Sequence, residues 1–352
     1  MRPAYQEDTQ PSKKKRVEDS DTADTPYIKP YVPQILRSPR DFTGTSKITD
    51  YEFLNKIGQG TFGEVHKARD KRTDNLKALK RIMMHNEKEG LPLNAIREIK
   101  ILKQLRHKNI IQLIEIVVER EKRDVYLVFP YMDHDLEGLM NNPEVRLTKT
   151  QTKTYFKQLL EGTEYLHHHP VYVRNNNVSS SFAAANLLIN NCGILKIGDF
   201  GLARTVNEDA LEYTNGVVTR WYRPPELFLG AKKYTSSIDM WGVGCIFGEL
   251  FKSKAILPGH DDIDQLKKIF QLCGSPTKFN MPHWDSLPHS KTIKVEVGPR
   301  QVRETFQRFE GEEAIDLLDR LLVLDPARRL AASEALDHDY FYTEPLPIKP
   351  SE

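Results

Sequence analysis

The sequence is poor in cysteine: it contains only Cys192, Cys245 and Cys273, and none of them lies in a CxxC spacing. Such an odd, widely spaced set is typical of a reducing compartment and argues against a disulfide framework or a cysteine zinc site. The sequence also lacks any run of about 18 apolar residues, and its first residues lack the apolar core of a signal peptide. We therefore expect a soluble intracellular protein without membrane partners.

An excess of charge of one sign is missing as well, since the formal net charge is only +2. Without a basic field, nothing favours direct nucleic-acid binding, and any recognition of phosphate must come from local groups. The composition, 39% hydrophobic and 28% charged, is that of a folded domain with a substantial core.

Changes in composition and in the spacing of apolar residues divide the chain into four parts. Residues 1–48 are polar and rich in proline, which predicts a disordered tail. Residues 49–133 predict a small β-rich lobe with one main helix, residues 134–342 a larger α-rich lobe, and residues 343–352 an extended tail. The fold class is therefore α+β. The strand-like runs are 53–57, 64–68, 76–82, 125–129 and 194–197, and the helical stretches are 93–105, 150–165, 237–251, 264–272 and 313–322.

A basic cluster, Lys13 to Arg16, lies within the N-terminal tail. Four adjacent cations in an exposed segment fit an acidic groove of a nuclear import receptor, but they also fit a solvated charge run, and the cluster alone does not decide between the two.

A glycine-rich motif, Gly58-Gln59-Gly60-Thr61-Phe62-Gly63, separates two strand-like runs. Glycines lack a β-carbon, so the backbone N–H groups can approach phosphate oxygens closely. A dinucleotide-binding oxidoreductase requires a helix directly after such glycines. Here Glu64 to Ala68 continues as a strand, which favours a glycine-rich hairpin over ATP and leaves NAD binding as the weaker alternative.

Four further residues have the chemistry of an ATP site. Lys80 lies on a strand-like run, where a buried cation is costly unless it meets phosphates and a carboxylate, and Glu98 on the following helical stretch is its natural partner. An ordinary surface ion pair is the alternative for either residue alone. Asp199 follows a strand and, with Asn186, supplies two oxygen ligands for Mg²⁺.

With these motifs in order, residues 51–341 resemble a eukaryotic protein kinase domain, specifically a cyclin-dependent kinase. The segments 84–90, 213–226 and 238–245 resemble the transcription-elongation branch, in particular the fungal Bur-type kinases. The resemblance implies a two-lobed kinase fold, ATP and Mg²⁺ as cofactors, and nuclear localisation. It also implies cyclin-regulated phosphorylation of Ser or Thr followed by Pro, with the repetitive tail of RNA polymerase II as substrate.

The resemblance further implies roles for individual residues. Phe129 is the expected gatekeeper, Pro130 and Met132 the hinge that bonds adenine through its backbone, and Asp135 the partner of the ribose hydroxyls. Asn186 and Asp199 are the expected metal ligands. The full set expected at the ATP site is Ile57, Gly58, Gly60, Gly63, Val65, Ala78, Lys80, Glu98, Phe129, Pro130, Met132, Asp135, Asn186 and Leu188.

Regulation and substrate recognition follow from the same resemblance. The helix signature at Pro92–Glu98 is the expected cyclin contact, although Leu93 and Asn94 depart from the family's usual residues. Thr214 matches the activation-loop threonine, whose phosphate is expected to bind arginines. The matching arginines are Arg97 and Arg204, the expected proline pocket is Val217, Val218 and Thr219, and the expected structural ion pair is Glu226 with Arg329.

The catalytic loop departs from the family. Counting back from Asn186 puts Ser181 and Ala183 where the family has its catalytic Asp and Lys, whereas counting forward from Tyr165 reaches Val173-Arg174-Asn175, because the interval is longer than the family's. No Asp or Glu lies between Glu164 and Asp199, so no residue is identifiable as the base. General-base positioning is worth roughly 10²–10⁴ in rate, so we expect phosphoryl transfer to be crippled.

Three explanations of this loop compete. The chain is a pseudokinase that keeps ATP and cyclin binding, a kinase with unorthodox chemistry, or the product of a mis-spliced gene in which intron-like sequence from about Val171 to Phe182 replaces the true loop. The third is favoured because the loss is confined to one polar patch, while the other kinase motifs are kept. His167, His168 and His169 are the nearest titratable groups, and we expect them to end a helix and to point in different directions.

Overall fold

The computed structural model describes residues 46–60, 63–82, 91–119, 121–122, 124–169, 182–198, 220–292 and 297–350. The first part of this fold is an antiparallel sheet of five strands in the order β1-β2-β3-β5-β4. The strands are β1 Tyr51–Gly60, β2 Gly63–Asp70, β3 Leu76–Ile82, β4 Glu115–Glu119 and β5 Asp124–Pro130.

Strand β5 is buried on both faces of this sheet. Because successive side chains of a strand point to opposite faces, Tyr126 and Val128 join a small core with Leu79, whereas Val125 and Leu127 face the main core. Helix α1, Leu93–Leu102, packs on the main-core side through Ala95, Ile101 and Leu102. The sheet therefore holds β3 next to α1, which matters for the site below.

The larger lobe is helical. Its helices are α2 Leu136–Asn141, α3 Lys149–His168, α4 Pro225–Phe228, α5 Ser237–Lys252, α6 Asp262–Cys273, α7 Val302–Phe306, α8 Glu312–Leu321 and α9 Ala332–Leu336. Short 3₁₀ turns lie at Ile48–Asp50, Ala184–Asn186, Arg220–Tyr222, Trp284–Ser286, Ser290–Thr292, Pro326–Arg328 and Asp339–Phe341.

Helices α3 and α5 form the centre of this lobe. α3 begins at a capping box, in which Thr148 and Gln151 exchange hydrogen bonds. Every residue of α5 from Ile238 to Leu250 is buried. The rings of Phe156 on α3 and Phe247 on α5 stack with their centroids 3.8 Å apart, so the two helices share one apolar core.

A buried ion pair joins α4 to the end of the lobe. Nη1 and Nη2 of Arg329 donate to the two carboxylate oxygens of Glu226 at 3.0 and 3.1 Å, and Nη1 also donates to the carbonyl of Ser237 at 2.6 Å. The side chains are only 0% and 4% exposed. This geometry agrees with the structural role that the family resemblance implies for the pair.

A second, smaller sheet of three strands lies within the part of the chain that forms the larger lobe. It consists of β6 His134–Asp135, β7 Leu187–Ile189 and β8 Leu195–Ile197, in the order β6-β7-β8. Ile197 accepts a hydrogen bond from the N–H of Ile111 and donates one to the carbonyl of Asn109. The chain just before residue 198 is therefore fixed against the segment that leads into β4.

The expected small β-rich lobe with one main helix and the larger α-rich lobe are confirmed. Strand β4 was not predicted, and α1 ends at Leu102, earlier than the helical stretch 93–105 suggested. Ser46 and Thr343, which were predicted to lie in the tails, both contact the fold: the hydroxyl of Ser46 donates to Glu115, and the carbonyl of Thr343 accepts from Lys153. Within the described residues, no helix combines the length and apolarity needed to cross a membrane.

Candidate nucleotide and catalytic site

The glycine-rich motif forms the end of the β1–β2 hairpin. Gly58 pairs with Val65, and Gly60 pairs with Gly63, in the antiparallel register of the two strands. A β-carbon at Gly63 would lie 1.8 Å from the carbonyl oxygen of Arg81 on β3, so only glycine fits there. Thr61 and Phe62, at the tip, lie outside the described residues. The expected continuation of the glycines as a strand is confirmed by β2.

A lysine and a glutamate meet below this hairpin. Nζ of Lys80 on β3 lies 2.8 Å from Oε1 of Glu98 on α1, and their side chains are 17% and 8% exposed. Val65 stands opposite Lys80 in the sheet, and Ala78 lies two residues before it on the same face. The sheet and α1 thus hold a nearly buried ammonium beside the carboxylate of Glu98, on the face of the sheet where Val65 and Ala78 lie.

The chain leaves the small lobe through the end of β5. Phe129 stands opposite Ala78 and Pro130 opposite Lys77, and both are partly buried, as is Met132. Asp135 caps α2: its Oδ1 accepts the N–H of Gly138 at 2.7 Å. Asp135 also pairs with Leu188 of β7 in the second sheet. The expected hinge residues Phe129 to Met132 and the expected ribose partner Asp135 therefore follow one another along this connection, and Asp135 lies beside Leu188 in the second sheet.

Asn186 lies where the second sheet begins. Its carbonyl accepts the N–H of Gly198 at 2.8 Å, and its own N–H donates to the carbonyl of Ala183 at 2.9 Å. A β-carbon at Gly198 would meet the side chain of Leu188 and this carbonyl at 3.1–3.2 Å. Because residue 199 follows Gly198 directly, this bond keeps Asn186 close to the chain position of Asp199. Asp199 itself lies outside the described residues.

The end of the catalytic loop carries no ionisable side chain where the structure describes it. Ala183 has an extended backbone, with φ −139° and ψ 148°, and is buried. Phe182 is 4% exposed, and its Cβ would lie 3.0 Å from a β-carbon at Gly242 of α5. Phe182 thus packs the chain against α5, and Ala183 has only a methyl group where counting back from Asn186 predicts the family's lysine. Ser181 lies outside the described residues.

The three histidines at the end of α3 do point in different directions. Nε2 of His167 lies 3.0 Å from Oδ2 of the buried Asp239 on α5, and Nδ1 of His168 lies 2.9 Å from the carbonyl of Glu164 in its own helix. His169 caps the helix beside the ring of Tyr165, and burial lowers its pKa. The expectation that these residues end a helix is confirmed.

The contact between His167 and Asp239 was missed from the sequence. A carboxylate inside the apolar run of α5 is the signal that was present, because a buried Asp needs a partner. Asp239 therefore links α5 to the end of α3.

The structure leaves several predicted residues without a description. Asp199, Arg204, Thr214, Val217, Val218 and Thr219 lie outside the described residues, as do the side chains of Arg97, Leu93 and Asn94. The roles assigned to them stay predictions. Within the part of the chain that is described, no three His, Cys, Asp or Glu residues come together as a metal site.

The donor chemistry fits MgATP. Asn186 provides an amide oxygen beside the chain position of Asp199, and hard oxygen ligands of this type suit Mg²⁺. Lys80, held by Glu98, provides an ammonium group for phosphate oxygens. Gly63, packed on the backbone of Arg81, leaves no side chain next to the tip of the hairpin.

Comparisons with known proteins agree with this geometry. The family model for the protein kinase domain matches residues 51–341. A probable cyclin-dependent kinase 9 of Schizosaccharomyces pombe is 49% identical over 88% of the chain, and the serine/threonine-protein kinase bur1 of Emericella nidulans is 51% identical over 88%. The chain spans 55% and 59% of the lengths of these two relatives.

A solved structure shows the same fold. The crystal structure of the yeast RNA Pol II CTD kinase CTDK-1 complex contains a chain that is 39% identical, with a TM-score of 0.75 over 88% of this chain and 97% of that one. The small antiparallel sheet and the helical lobe are therefore parts of one known architecture. The chain belongs to the protein kinase family, and these relatives are cyclin-dependent kinases of the kind the sequence resembles.

Proposed function

We propose that this protein is the kinase subunit of a cyclin-dependent complex of the transcription-elongation type, directed to Ser or Thr followed by Pro, and that its substrate is the C-terminal tail of RNA polymerase II. The observation that carries the proposal is the 2.8 Å ion pair of Lys80 and Glu98 between β3 and α1. Such a pair is required to hold the α- and β-phosphates of ATP in protein kinases. The names of the relatives support the cyclin, and that of the solved structure supports the polymerase tail.

The alternative of a dinucleotide-binding oxidoreductase has little support. Its fingerprint needs a helix after the glycines, so that the pyrophosphate sits at a helix N-terminus. The glycines here are followed by β2, which runs from Gly63 to Asp70. ATP under a hairpin explains the motif, and NAD does not.

A cyclin contact at Pro92–Glu98 is supported by the surface of α1. Ile96 lies on this helix with 47% of its surface exposed, although its neighbours Ala95 and Glu98 are buried. An apolar side chain on the outer face of a helix costs little in a monomer but contributes to a partner interface. Docking of a cyclin there would also press α1 towards β3 and so hold Glu98 against Lys80.

The catalytic step is where this polypeptide departs from its family. Bound Mg²⁺ would neutralise the charge that develops on the phosphates. The chain's own residues provide the lysine and the metal ligands, but Ala183 has no ammonium, and no carboxylate lies between Glu164 and Asp199 to accept the proton of the substrate hydroxyl. We propose that the protein with this sequence binds MgATP and that its rate of phosphoryl transfer is roughly 10²- to 10⁴-fold lower than that of its relatives.

A second candidate function follows from the same observation. A chain that keeps its nucleotide site and its cyclin helix but lacks the base is suited to act as a nucleotide-binding scaffold for a cyclin and its complexes. The mis-spliced origin of residues 171–182 remains the third explanation. Sequencing of the spliced transcript across codons 165–190 separates mis-splicing from a pseudokinase and from a kinase with unorthodox chemistry. A transcript that encodes residues 171–182 as they stand here would overturn the mis-spliced origin.

The decisive experiment is a phosphorylation assay on a Ser-Pro tail peptide with a cyclin present. The chain is compared with the double variant Ser181→Asp, Ala183→Lys, and with a second variant in which residues 171–183 carry a loop of the family's length. If only the two variants with a repaired loop phosphorylate the peptide, the result supports a scaffold function for the unaltered chain. Equal activity of the unaltered chain would contradict the proposed loss of the base.

ATP binding is tested separately by melting temperature. MgATP at about 100 times its Kd stabilises the folded state by roughly 2.7 kcal/mol, so we expect a clear rise in Tm for the unaltered chain. A rise with NAD and none with MgATP would overturn the proposed nucleotide.

A further inference from the structure

Three cations meet at the end of α5, on elements that carry none of the nucleotide-site residues. Lys252 is the last residue of α5, Lys254 lies two residues further on, and Arg308 follows α7 in the chain. The side chains of Lys254 and Arg308 are exposed, whereas Lys252 and the neighbouring Phe309 are half-buried. We refer to these four residues as the Lys252 cluster.

Two aromatic rings hold two of the cations in place. Nζ of Lys252 lies 5.0 Å from the ring centroid of Phe306 and 5.9 Å from that of Phe309. The guanidinium carbon of Arg308 lies 4.9 Å from the ring centroid of Phe309. A ring face attracts a cation within about 6 Å but takes few of its hydrogen bonds. The N–H groups of both cations therefore stay available to an anion.

The three cations form no ion pair with a carboxylate in the described part of the chain. The two carboxylates that follow Arg308 most closely in the sequence have other partners. Nζ of Lys149 lies 3.3 Å from Oε2 of Glu310, and Arg303 pairs with Glu312. The positive charge of the cluster is therefore not balanced from its own chain segment.

The carboxylates on the other side of Lys254 do not balance it either. Lys254 borders a cavity that Glu137 and Glu249 also line. Oε2 of Glu249 accepts the hydroxyl of Tyr222 at 2.7 Å, and neither glutamate lies within ion-pair distance of Lys254. The lysine thus keeps its charge at the exposed edge of the cluster.

The cations repel one another. Burial lowers the pKa of Lys252, and the charges of Lys254 and Arg308 lower it further. Like charges held side by side disfavour the charged form of each, and an opposite charge close by favours it. An anion bound at the cluster would therefore relieve a repulsion that the fold maintains. The cluster has the charge of an anion-binding surface.

The arrangement suits several carboxylates better than one phosphate or a nucleic acid. Lys252 and Arg308 are each held by an aromatic face, so separate carboxylates can meet them one by one. Nucleic acids bind tightly through roughly 6–10 phosphate contacts, and three cations in a chain of net charge +2 provide too few. The half-buried ring of Phe309 also offers contact to an apolar side chain.

We propose that the Lys252 cluster is a docking surface for an acidic segment of a partner protein, in which Asp or Glu residues flank an apolar side chain. The carboxylates would bind the three cations, and the apolar side chain would cover the exposed part of Phe309. The surface lies at the end of α5 and after α7, whereas the expected cyclin contact lies on α1. Docking here therefore requires neither the cyclin helix nor a bound nucleotide.

The test is a titration of the full chain with fluorescent peptides, followed by anisotropy. One peptide carries glutamates around a central leucine, and its matched control carries glutamines instead. A phosphoserine peptide and a short single-stranded RNA, both of the same total charge as the glutamate peptide, complete the set. At low salt we expect the glutamate peptide to bind about tenfold more tightly than the glutamine peptide. The difference should shrink as salt screens the exposed charges.

Two variants assign the binding to the cluster. The triple variant Lys252→Met, Lys254→Gln, Arg308→Gln removes all three cations, and the methionine keeps an apolar chain against Phe306. We expect it to reduce the preference for glutamate to less than about twofold. The double variant Lys254→Gln, Arg308→Gln changes exposed positions alone, so it should fold normally and lose most of the preference. The melting temperature of each variant reports its folding.

A charge-matched control separates the cluster from the net charge of the protein. The triple variant Lys232→Gln, Lys233→Gln, Lys278→Gln removes three exposed lysines elsewhere in the large lobe. Its net charge changes by the same amount as in the triple variant of the cluster. It should therefore keep the full preference for the glutamate peptide.

Each outcome decides the proposal. Loss of the preference in both cluster variants, with the control unchanged, supports it. Equal binding of the glutamate and glutamine peptides to the wild type overturns it. Equal losses in the control and in the cluster variants assign the binding to net charge and overturn the docking surface. Tighter binding of the phosphoserine peptide or of the RNA than of the glutamate peptide overturns the choice of an acidic segment as the occupant.

Discussion

Gly63 on β2 lies so close to the carbonyl oxygen of Arg81 on β3 that a β-carbon on Gly63 would stand 1.8 Å from that oxygen. Backbone atoms cannot be moved aside as the end of a side chain can, so a methyl group here must separate the two strands. We expect Gly63→Ala to lower the free energy of unfolding by about 3 kcal/mol and to weaken ATP binding. Chemical denaturation and a fluorescent ATP analogue measure the two effects.

Gly58 provides the matched control for this prediction. A β-carbon there would meet Cβ of Val65 at 3.8 Å, an ordinary contact. Gly58→Ala should therefore change the unfolding free energy by less than about 1 kcal/mol. Equal losses in the two variants would show that the close approach of Gly63 to Arg81 is not what restricts this position.

The buried pair of Glu226 and Arg329 predicts a large stability effect. Glu226→Ala leaves a guanidinium with a fully buried side chain and no carboxylate, which costs about 3–5 kcal/mol. The control is Lys108→Ala, which removes a 2.7 Å ion pair with Glu161 in which the lysine is 67% exposed. That change should cost less than about 1 kcal/mol. A comparable loss in both variants, measured by urea unfolding, would contradict the argument from burial.

Parts of the site were predictable because they follow from local chemistry. Lys80 on a strand and Glu98 on the next helix were paired from sequence because a buried ammonium needs a carboxylate, and the 2.8 Å contact confirms the pair. The β2 strand after the glycines was predicted from the pattern of Glu64 to Ala68. In both cases the residues that decide the structure lie close together in the sequence.

Strand β4 was missed for the opposite reason. It begins at Glu115, which is only 5% exposed and which interrupts the apolar residues from Leu113 to Val118 with a charge, so the run was not recognised as a strand. The structure shows what makes the burial possible: Ser46, Tyr51 and Arg72 all bond its carboxylate. These partners lie far away in sequence, and only the folded sheet brings them together. The same holds for Tyr222 and Glu249, which no local pattern connects.

Nucleotide binding should depend on Lys80 even though the catalytic loop is damaged. Lys80→Met removes the ammonium that the structure holds beside Glu98, and a charge-assisted hydrogen bond of this kind is worth about 1.5–3 kcal/mol. We expect the Kd for MgATP to rise roughly 10- to 100-fold, measured by titration with a fluorescent analogue. Lys77→Met on the opposite face of β3 is the control and should leave the Kd unchanged. Equal affinity in wild type and Lys80→Met would contradict the proposed site.

The stability of the protein should fall in mild acid because of His107. Its ring stacks on Tyr165 with centroids 4.9 Å apart, and its Nδ1 accepts the N–H of Asn109 at 3.1 Å, which only an unprotonated nitrogen can do. Burial, with a smaller effect of the charge on Lys108, lowers the pKa of His107 from 6.5 to about 4. Between these two values the unfolded chain binds the proton and the folded chain does not.

The free energy of unfolding therefore decreases as the pH falls from about 6.5 towards about 4, by up to roughly 3 kcal/mol from this residue. His107→Asn keeps an acceptor for the N–H of Asn109 and removes the titrating ring, so its stability should depend less on pH over that range. Urea unfolding at about pH 7.5 and about pH 5 measures the difference. His134→Asn, at an exposed histidine, should retain the acid sensitivity of the wild type. If His107→Asn retained it as well, the loss of stability in acid would have to come from other groups.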